Sequence, residues 1–301
     1  MIGTVYIWLV FVMSNRIRHT VCPLLAALIW GLAFSAQSVC AEYLEPFSVN
    51  ALRGLIAFVL LLVFCLLRKK PFGTWRDLIL GSLCCGSALF FATNLQQFGL
   101  GGTSAGKAGF ITALYIVIVP VTGVLFRKKV PAKVWIAVAF AVAGMYFLCL
   151  SEQFTVAASD LYVLACAFLF ALQILCIDHF VQKVDGIALS CGQFLVVSVL
   201  SAVCMFAMES PTVEGIRGCI WPLLYVAVFS SCVAYTLQII SQKGANPAVV
   251  SLLLSMESVF AVIGGALLLQ ERLTGREGFG CLLMMVAIVL AELPERTKKQ
   301  A

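Results

Sequence analysis

Charged residues are scarce in this chain, and their scarcity decides its class. Asp, Glu, Lys and Arg make up only 11% of the 301 residues, whereas apolar residues make up 62%. A chain with so little charge cannot present a mixed charged surface to water on all sides, which excludes an ordinary soluble globular protein. The chain is therefore predicted to lie in a lipid bilayer.

Groups suited to metal or acid–base chemistry are also few. The chain has two histidines, His19 and His179, and none of its thirteen cysteines stands in C-x-x-C spacing. We predict no metal site and no cofactor, and we interpret the cysteines as packing residues. An intramembrane enzyme would need acids, histidines or metal ligands clustered at one interface, so it is only an alternative. A lipid-carrier flippase is a second alternative.

A glycine-rich stretch, GLGGTSAGKAGF at 99–110, comes close to a phosphate-binding loop. Such a loop needs a preceding strand and a Ser or Thr directly after its lysine. Here Ala108 follows Lys107, and an apolar run comes next. The stretch is therefore not a nucleotide site. Lys107 is predicted to point either at a cavity or at lipid headgroups.

Apolar runs of about 20 residues follow one another almost end to end, and each could cross ~30 Å of hydrocarbon as a helix. The predicted fold class is an all-α membrane protein with ten transmembrane helices. The predicted spans are 20–41, 47–67, 77–98, 104–126, 133–151, 159–180, 187–208, 219–241, 246–270 and 275–293.

Basic residues in the loops predict the orientation of these spans, because short cytoplasmic loops are enriched in Lys and Arg. Only Arg217, Arg272 and Arg276 lie in the loops on one side of the membrane, which is therefore the predicted outer side. Both termini are therefore predicted to be cytoplasmic, in a multi-pass protein of the bacterial inner membrane. The net charge of +6 then needs no nucleic-acid partner. The fifteen basic residues of the other side are Arg16, Arg18, Arg68, Lys69, Lys70, Arg76, Arg127, Lys128, Lys129, Lys133, Lys183, Lys243, Arg296, Lys298 and Lys299.

The two ends of the chain lie outside the predicted spans. Residues 1–19 form an N-terminal extension whose apolar run of about eleven residues is too short to cross a bilayer. We expect a start placed too far upstream, with Met13 as the true first residue, and an interfacial helix is the alternative. Residues 294–301 form the predicted cytoplasmic tail.

The chain contains an internal sequence repeat of two units. Shifted by 140 residues, LIWGLAFSA (28–36) meets FLFALQILC (168–176), and shifted by 142, TNLQQFGLGG (93–102) meets YTLQIISQKG (235–244). The predicted repeats are 20–151 and 159–293, with five spans each. Because five is odd, the second repeat must be inverted in the membrane, an arrangement typical of transporters with alternating access.

These segments resemble the drug/metabolite transporter superfamily, in its ten-helix bacterial form called EamA. The likeness covers about residues 20–293 and rests on LIWGLAFS, VNALRGLIAF, FITALYIVIVPVTGVLF and LLSMESVFAVIGGALLLQERLTGREGFG. It implies a central cavity lined mainly by the first, third and fourth spans of each repeat, with help from the second. The family commonly has Glu-Pro where this chain has Glu257 and Ser258, so the proline that would interrupt the ninth span is missing.

Three charged residues lie at least three residues inside the ends of predicted spans, and their depths differ. At 1.5 Å per residue, Lys107 is ~5 Å deep and Arg53 ~9 Å deep, within reach of snorkelling. Glu257 is ~16 Å deep, and its short side chain cannot reach the interface. It must be paired, protonated or in contact with an aqueous cavity, so we predict that it binds substrate or couples protons. A structural pairing with Arg53 or Lys107 is the alternative.

Neutral polar residues cluster at equivalent places in the two repeats, on the third and eighth spans. Amides inside a bilayer need partners or water, so they line a cavity or join neighbouring helices. Trp30 and Tyr115 are candidates for aromatic walls. The complete set of predicted substrate-binding or coupling residues is Glu257, Lys107, Arg53, Asn94, Gln96, Gln97, Tyr115, Tyr235, Gln238, Gln37, Gln173 and Trp30.

The predicted function is secondary transport of a small polar metabolite, by export. Cations in the outer half of the membrane and one carboxylate at mid-depth suit a zwitterion such as an amino acid. Proton-coupled efflux of cationic drugs, with Glu257 binding proton and cargo in turn, is the alternative. The expected partners are the lipid bilayer and a small-molecule substrate, with protons added under the drug-efflux alternative. The sequence is compatible with a monomer and with a homodimer.

Overall fold

The protein is all-helical over the residues described. The structure is a computed structural model that describes residues 15–103, 105–125, 130–149, 157–268 and 275–292. In this part of the chain the extended pairing is limited to one isolated bridge, between Gly73 and Val184. The predicted extension, the cytoplasmic tail and the basic cluster at 127–129 lie wholly or mostly outside the described residues.

The described residues of the first half form six helices. They are α1 (Asn15–Tyr43), α2 (Pro46–Arg68), α3 (Trp75–Leu100), α4 (Ala105–Ala113), α5 (Tyr115–Leu125) and α6 (Ala132–Cys149).

The second half continues with α7 (Ala158–Phe180), α8 (Gly186–Met208), α9 (Val213–Gly218) and α10 (Ile220–Tyr225). A π-helix, Val226–Ala234, leads directly into α11 (Tyr235–Gln242). The chain then forms α12 (Pro247–Leu254), α13 (Glu257–Leu268) and α14 (Gly275–Glu292).

Several of these helices are long enough to cross a membrane. Among the described residues, seven are long and apolar enough by length and composition, and three shorter apolar helices lie at 132–147, 247–263 and 278–291. The predicted all-helical, multi-pass membrane architecture is confirmed. The shorter helices fall within the predicted fifth, ninth and tenth spans.

Side chains cap the starts of two helices. Asn246 accepts a hydrogen bond from the Ala248 amide at 2.9 Å, and Pro247 occupies the first turn of α12. Asp185 caps α8 in the same way, accepting from the amides of Ile187 and Ala188 at 3.0 and 3.2 Å.

The start of α2 is capped from the other half of the chain. The Glu209 carboxylate accepts from the Phe47 amide at 2.9 Å and from the amide and hydroxyl of Ser48 at 2.7 Å each. A carboxylate at this position also matches the positive end of the helix dipole. Glu209 therefore joins the end of α8 to the beginning of α2.

Replacing Glu209 with Ala should destabilise the protein, because the change leaves the amides of Phe47 and Ser48 without their acceptor. We expect a loss of about 1–3 kcal/mol, which would appear as a lower melting temperature of the purified protein in detergent. Glu214→Ala, at an exposed position on α9, is the control and should not change the melting temperature. Equal melting temperatures for the two variants would contradict the capping role.

Two membrane segments are interrupted at equivalent places. Leu114 separates α4 from α5, and Ser255 and Met256 separate α12 from α13. The second break forms without a proline, so the interruption expected from the family pattern is kept despite Ser258. Pro120 lies inside α5, and the break precedes it by more than one turn, so it is not the break point.

Contacts between the two halves come in pairs. Helix α2 packs on α8, and α6 packs on α14. Helix α3 packs on α7, and in the other half the segment α10–π–α11 packs on α1. Helices α4 and α5 pack on α7 as α13 packs on α1. A central core thus forms where α1 and α7 meet the interrupted helices.

Candidate functional site

A closed polar cavity lies among α1, α2, α3, α7, α11 and the two interrupted helices. Its volume, ≈ 30 Å³ open to the centre of a water molecule, holds about two waters. Its walls mix aromatic, amide and charged side chains. They are Trp30, Phe34, Gln37, Arg53, Gln96, Thr112, Tyr115, Phe170, Gln173, Ile174, Ser230, Tyr235, Gln238, Leu254 and Glu257.

Arg53 provides the positive charge of this cavity. Its side chain is buried, with Nε donating to the Ser231 hydroxyl at 2.8 Å and Nη1 donating to Gln37 Oε1 at 2.9 Å. Ser231 lies in the π-helix, and its hydroxyl donates to the Val226 carbonyl at 2.9 Å. The wide turn therefore places a hydroxyl against the guanidinium, in keeping with the occurrence of π-helices at functional sites.

Glu257 provides the carboxyl group of this cavity. It is the first residue of α13, it is buried, and its Oε1 accepts a hydrogen bond from the Tyr115 hydroxyl at 3.1 Å. Tyr115 is the first residue of α5, so each member of this pair follows a helix break. The hydrogen bond therefore joins the two interrupted segments across the cavity.

The two charges are not neutralised by each other. Within the described part of the chain, no Lys or Arg nitrogen lies within 4.0 Å of the Glu257 carboxylate, and no carboxylate oxygen lies within 4.0 Å of Arg53. The alternative of a direct structural pairing between Glu257 and Arg53 or Lys107 is therefore wrong. A buried guanidinium and a buried carboxyl group thus face one cavity, each with neutral hydrogen-bond partners.

A glycine brings α1 close to Glu257. A Cβ atom on Gly31 would lie 2.7 Å from the backbone oxygen of Glu257 and 2.8 Å from the amide of Ala261. Any side chain here would push α13 away from α1. Gly31, which belongs to the segment LIWGLAFSA, thus fixes the depth at which the carboxylate enters the cavity.

Most of the predicted binding residues come together here. All of them except Lys107, Asn94 and Gln97 line the cavity. Asn94 instead accepts from Asn50 Nδ2 at 3.1 Å, joining α2 to α3. Gln97 donates to the backbone oxygen of Gln37 at 3.0 Å and lines a separate groove at the α1–α2 turn.

Lys107 does not line the cavity and instead forms an ion pair. Its Nζ lies 2.5 Å from Oδ2 of Asp160, a buried residue in the first turn of α7. Asp160 also accepts from the Thr103 hydroxyl and from the Ala157 amide, each at 2.8 Å. We call Thr103, Lys107, Ala157 and Asp160 the α7 cluster. It ties the α3–α4 connection to α7.

Equivalent contacts lie at the beginning of α1. Arg18 Nη2 donates to the Lys243 carbonyl at 2.9 Å, and His19 Nδ1 lies 2.7 Å from the Ser241 carbonyl. These contacts tie the α11–α12 connection to α1. We call them the α1 contacts.

The cavity wall follows the sequence repeat. Five pairs of lining residues are related by the shifts of 140 and 142 that align the two halves: Trp30 with Phe170, Phe34 with Ile174, Gln96 with Gln238, Thr112 with Leu254, and Tyr115 with Glu257. Phe34, Thr112, Phe170, Ile174, Ser230 and Leu254 were not among the predicted residues. The same shifts, applied to each predicted residue and its helical neighbours, would have found all of these except Ser230.

A multi-pass helical membrane protein with a buried, polar, charge-bearing cavity at its centre belongs structurally to the class of small-molecule transporters. Comparison with known proteins gives the family. The sequence model of the EamA-like transporter family matches the chain twice, over residues 20–150 and 157–293. The chain therefore belongs to the EamA-like transporter family, within the drug/metabolite transporter superfamily.

Named relatives agree with this assignment. An uncharacterized transporter of Archaeoglobus fulgidus is 32% identical over 271 residues, covering 89% of this chain and 84% of that protein. The uncharacterized transporter YwfM of Bacillus subtilis is 25% identical, covering 94% of this chain and 96% of that protein. A solved crystal structure with 18% identity has a TM-score of 0.73 and covers 91% of this chain and 96% of that one, which supports the fold alone.

Proposed function

We propose that this protein is a secondary transporter that exports a small zwitterion, such as an amino acid, across the bacterial cytoplasmic membrane by alternating access. One observation carries the proposal: Arg53 and Glu257 are buried at the same cavity without a partner of opposite charge. Burying a charge without such a partner is costly. A ligand with a carboxylate and an ammonium group would compensate both.

The chemistry of each end matches one group of such a ligand. The guanidinium of Arg53 keeps nitrogen donors beyond those used for Gln37 and Ser231, and guanidinium groups bind carboxylates in fixed geometry. The carboxylate of Glu257 accepts one hydrogen bond from Tyr115 and has further lone pairs for an ammonium group. The substrate would therefore lie between α2 and α13, in a conformation in which the cavity has opened beyond its present two-water volume.

Cationic drug efflux fits the cavity less well. A cation near Glu257 would share the cavity with Arg53, and like charges in a buried site repel strongly. Because the guanidinium is always protonated, it cannot remove this repulsion by losing a proton. The zwitterion is thus the better match to the charges present.

Alternating access rests on our further proposal that ten spans form two inverted repeats, 20–151 and 159–293, with both termini cytoplasmic. The paired helix contacts, the paired lining residues and the double match to the family model support it. Two similar, inverted halves give inward-open and outward-open states of comparable energy.

With this orientation, the α7 cluster closes the cavity toward the outside and the α1 contacts close it toward the cytoplasm. Both sets of contacts are formed in the structure, and the proposal takes this arrangement as an occluded state. Export would then require the α1 contacts to separate for loading and the α7 cluster to separate for release.

Replacing Lys107 with Met should weaken the outer closure. The change removes the cation from a largely buried pair, at a cost of about 1–4 kcal/mol to the closed arrangement, or roughly tenfold or more in the outward-open population. The measurement is the rate at which an impermeant thiol reagent applied outside modifies a cysteine introduced at Gln96. Lys243→Met, an exposed lysine at the opposite end, is the matched control. No increase in rate for Lys107→Met would contradict the closure role.

Ligand-induced stabilisation and solute exchange test the proposed function. A bound ligand raises the melting temperature of the purified protein by binding the native form preferentially. We expect zwitterionic amino acids to stabilise it more than their decarboxylated amines or their deaminated acids. Inverted vesicles should take up the stabilising amino acid. Stabilisation by organic cations alone would favour drug efflux instead.

A further inference from the structure

A row of glutamines forms a second polar region of the cavity, away from its charges. Gln238 Nε2 donates to Gln173 Oε1 at 3.3 Å, and Gln173 Nε2 donates to Gln193 Oε1 at 3.3 Å. All three side chains are buried, and Gln173 and Gln238 line the cavity. We call these residues the glutamine triad. It consists entirely of residues from the second half of the chain.

At each end of the glutamine triad, one amide atom lacks a hydrogen-bond partner. Gln238 Oε1 and Gln193 Nε2 are buried and have no hydrogen-bond partner. Buried amide groups in proteins are almost always paired, so an open acceptor in a cavity wall points to a ligand group. The oxygen and nitrogen of a carboxamide are assigned from the hydrogen-bond network, and the whole row can reverse by flipping each amide. In either direction Gln238 presents one unused hydrogen-bonding atom.

The equivalent glutamine of the first half is engaged instead. Gln96 Nε2 donates to the Thr112 hydroxyl at 3.2 Å. The position equivalent to Thr112 is Leu254, which has no hydroxyl to offer Gln238. The two halves therefore differ at this pair of positions, and the difference leaves one amide atom of Gln238 without a hydrogen-bond partner.

We infer that the glutamine triad is a subsite for the uncharged, hydrogen-bonding side chain of the substrate, a carboxamide or a hydroxyl. The inference rests on the proposed function, because it takes Arg53 and Glu257 as the sites of the α-carboxylate and α-ammonium groups. The surrounding wall is apolar, with Phe170, Ile174 and Leu254. A charged side chain would find no compensating charge there, and an aliphatic one would leave Gln238 Oε1 unpaired.

Asparagine and leucine provide the test, because their side chains have nearly the same shape and differ in hydrogen bonding. Dissociation constants are measured by calorimetry on the purified full-length protein and on Gln238→Met, which keeps the side-chain length and removes the amide. We expect wild type to prefer asparagine by roughly tenfold or more and Gln238→Met to lose this preference. Gln182→Met, the same change at an exposed glutamine, is the control and should retain it.

The outcomes separate the two proposals. Binding of both amino acids with an asparagine-to-leucine ratio near one in wild type, or an unchanged ratio in Gln238→Met, overturns the subsite and leaves the proposed function standing. Binding of neither amino acid by wild type overturns the proposed function, and the subsite with it. If Gln238→Met does not fold, Gln193→Met serves instead. It removes the acceptor of Gln173 from behind the cavity wall, and an unchanged ratio there also overturns the subsite.

Discussion

Replacing Glu257 with Gln is expected to reduce the exchange of a labelled zwitterion across proteoliposomes by roughly 100-fold or more. The amide keeps the shape of the side chain and can still accept from Tyr115, but it offers no charge to an ammonium group. Removing one partner of a buried, hydrogen-bonded charge pair costs about 2–5 kcal/mol, which corresponds to this loss of affinity. Glu214→Gln on the exposed surface of α9 should exchange at the wild-type rate.

Two transport modes distinguish binding from proton coupling at Glu257. If the carboxylate binds the substrate, Glu257→Gln loses both counterflow exchange and accumulation driven by a pH gradient. If it only carries protons, exchange survives and gradient-driven accumulation is lost. Wild-type rates in both modes would exclude Glu257 from the mechanism.

The Arg53→Gln variant is expected to lose most of its affinity for substrates that carry a carboxylate, by roughly 100-fold. Glutamine is the residue that the chain itself has at the equivalent position, Gln193, so the fold accommodates it there. The expected signature is selective. Binding of an amino acid should fall strongly, whereas binding of its decarboxylated amine, which lacks the group that Arg53 holds, should not fall and should rise as the repelling guanidinium is removed.

The matched control for Arg53 is Arg76→Gln, on the exposed first turn of α3. Calorimetric titration of each variant with an amino acid and its amine gives the four dissociation constants required. Equal losses of affinity for the amino acid and the amine would mean that Arg53 supports the fold and does not bind the carboxylate.

Much of the architecture could be predicted because apolar length and repeat spacing act locally. The observed helices begin and end within a few residues of the predicted spans, as with Pro46–Arg68 for 47–67 and Ala158–Phe180 for 159–180. Asn246 and Pro247 favour a helix start by their own side chains, so the start of α12 can be predicted from the local sequence. The depth of Glu257 in the bilayer likewise made it a candidate cavity residue, since its short side chain cannot reach the interface from ~16 Å.

Three predicted residues lie away from the cavity, because their partners are far away in the sequence. The ion pair of Lys107 with Asp160 joins two helices whose relative rotation the sequence does not specify. Asn94 and Gln97 share α3 with Gln96, and at about 100° per residue neighbouring positions point to different sides. Only the packing of α3 against α2 and α7 determines that Gln96 enters the cavity while Asn94 faces Asn50.

The break before Glu257 illustrates a different limit. A proline after Glu257 would have indicated this break, and the chain has Ser258 there instead. Ser251 and Ser255 instead donate their hydroxyls to backbone carbonyls of Ala248 and Leu252, at 3.0 and 2.7 Å. Such serine contacts compete with regular helical hydrogen bonds and bend helices. Two serines one turn apart before a buried acid are the signal that sequence reading lacked.

The central claim is that one polar cavity opens to each side of the membrane in turn. Its most direct test is a single cysteine at Gln96, in a chain whose native cysteines are replaced, treated with an impermeant thiol reagent in right-side-out and in inverted vesicles. The account predicts modification from both sides, slowed from both sides by a zwitterion that stabilises the protein. Modification from one side only, or at a rate that the zwitterion does not change, would contradict it.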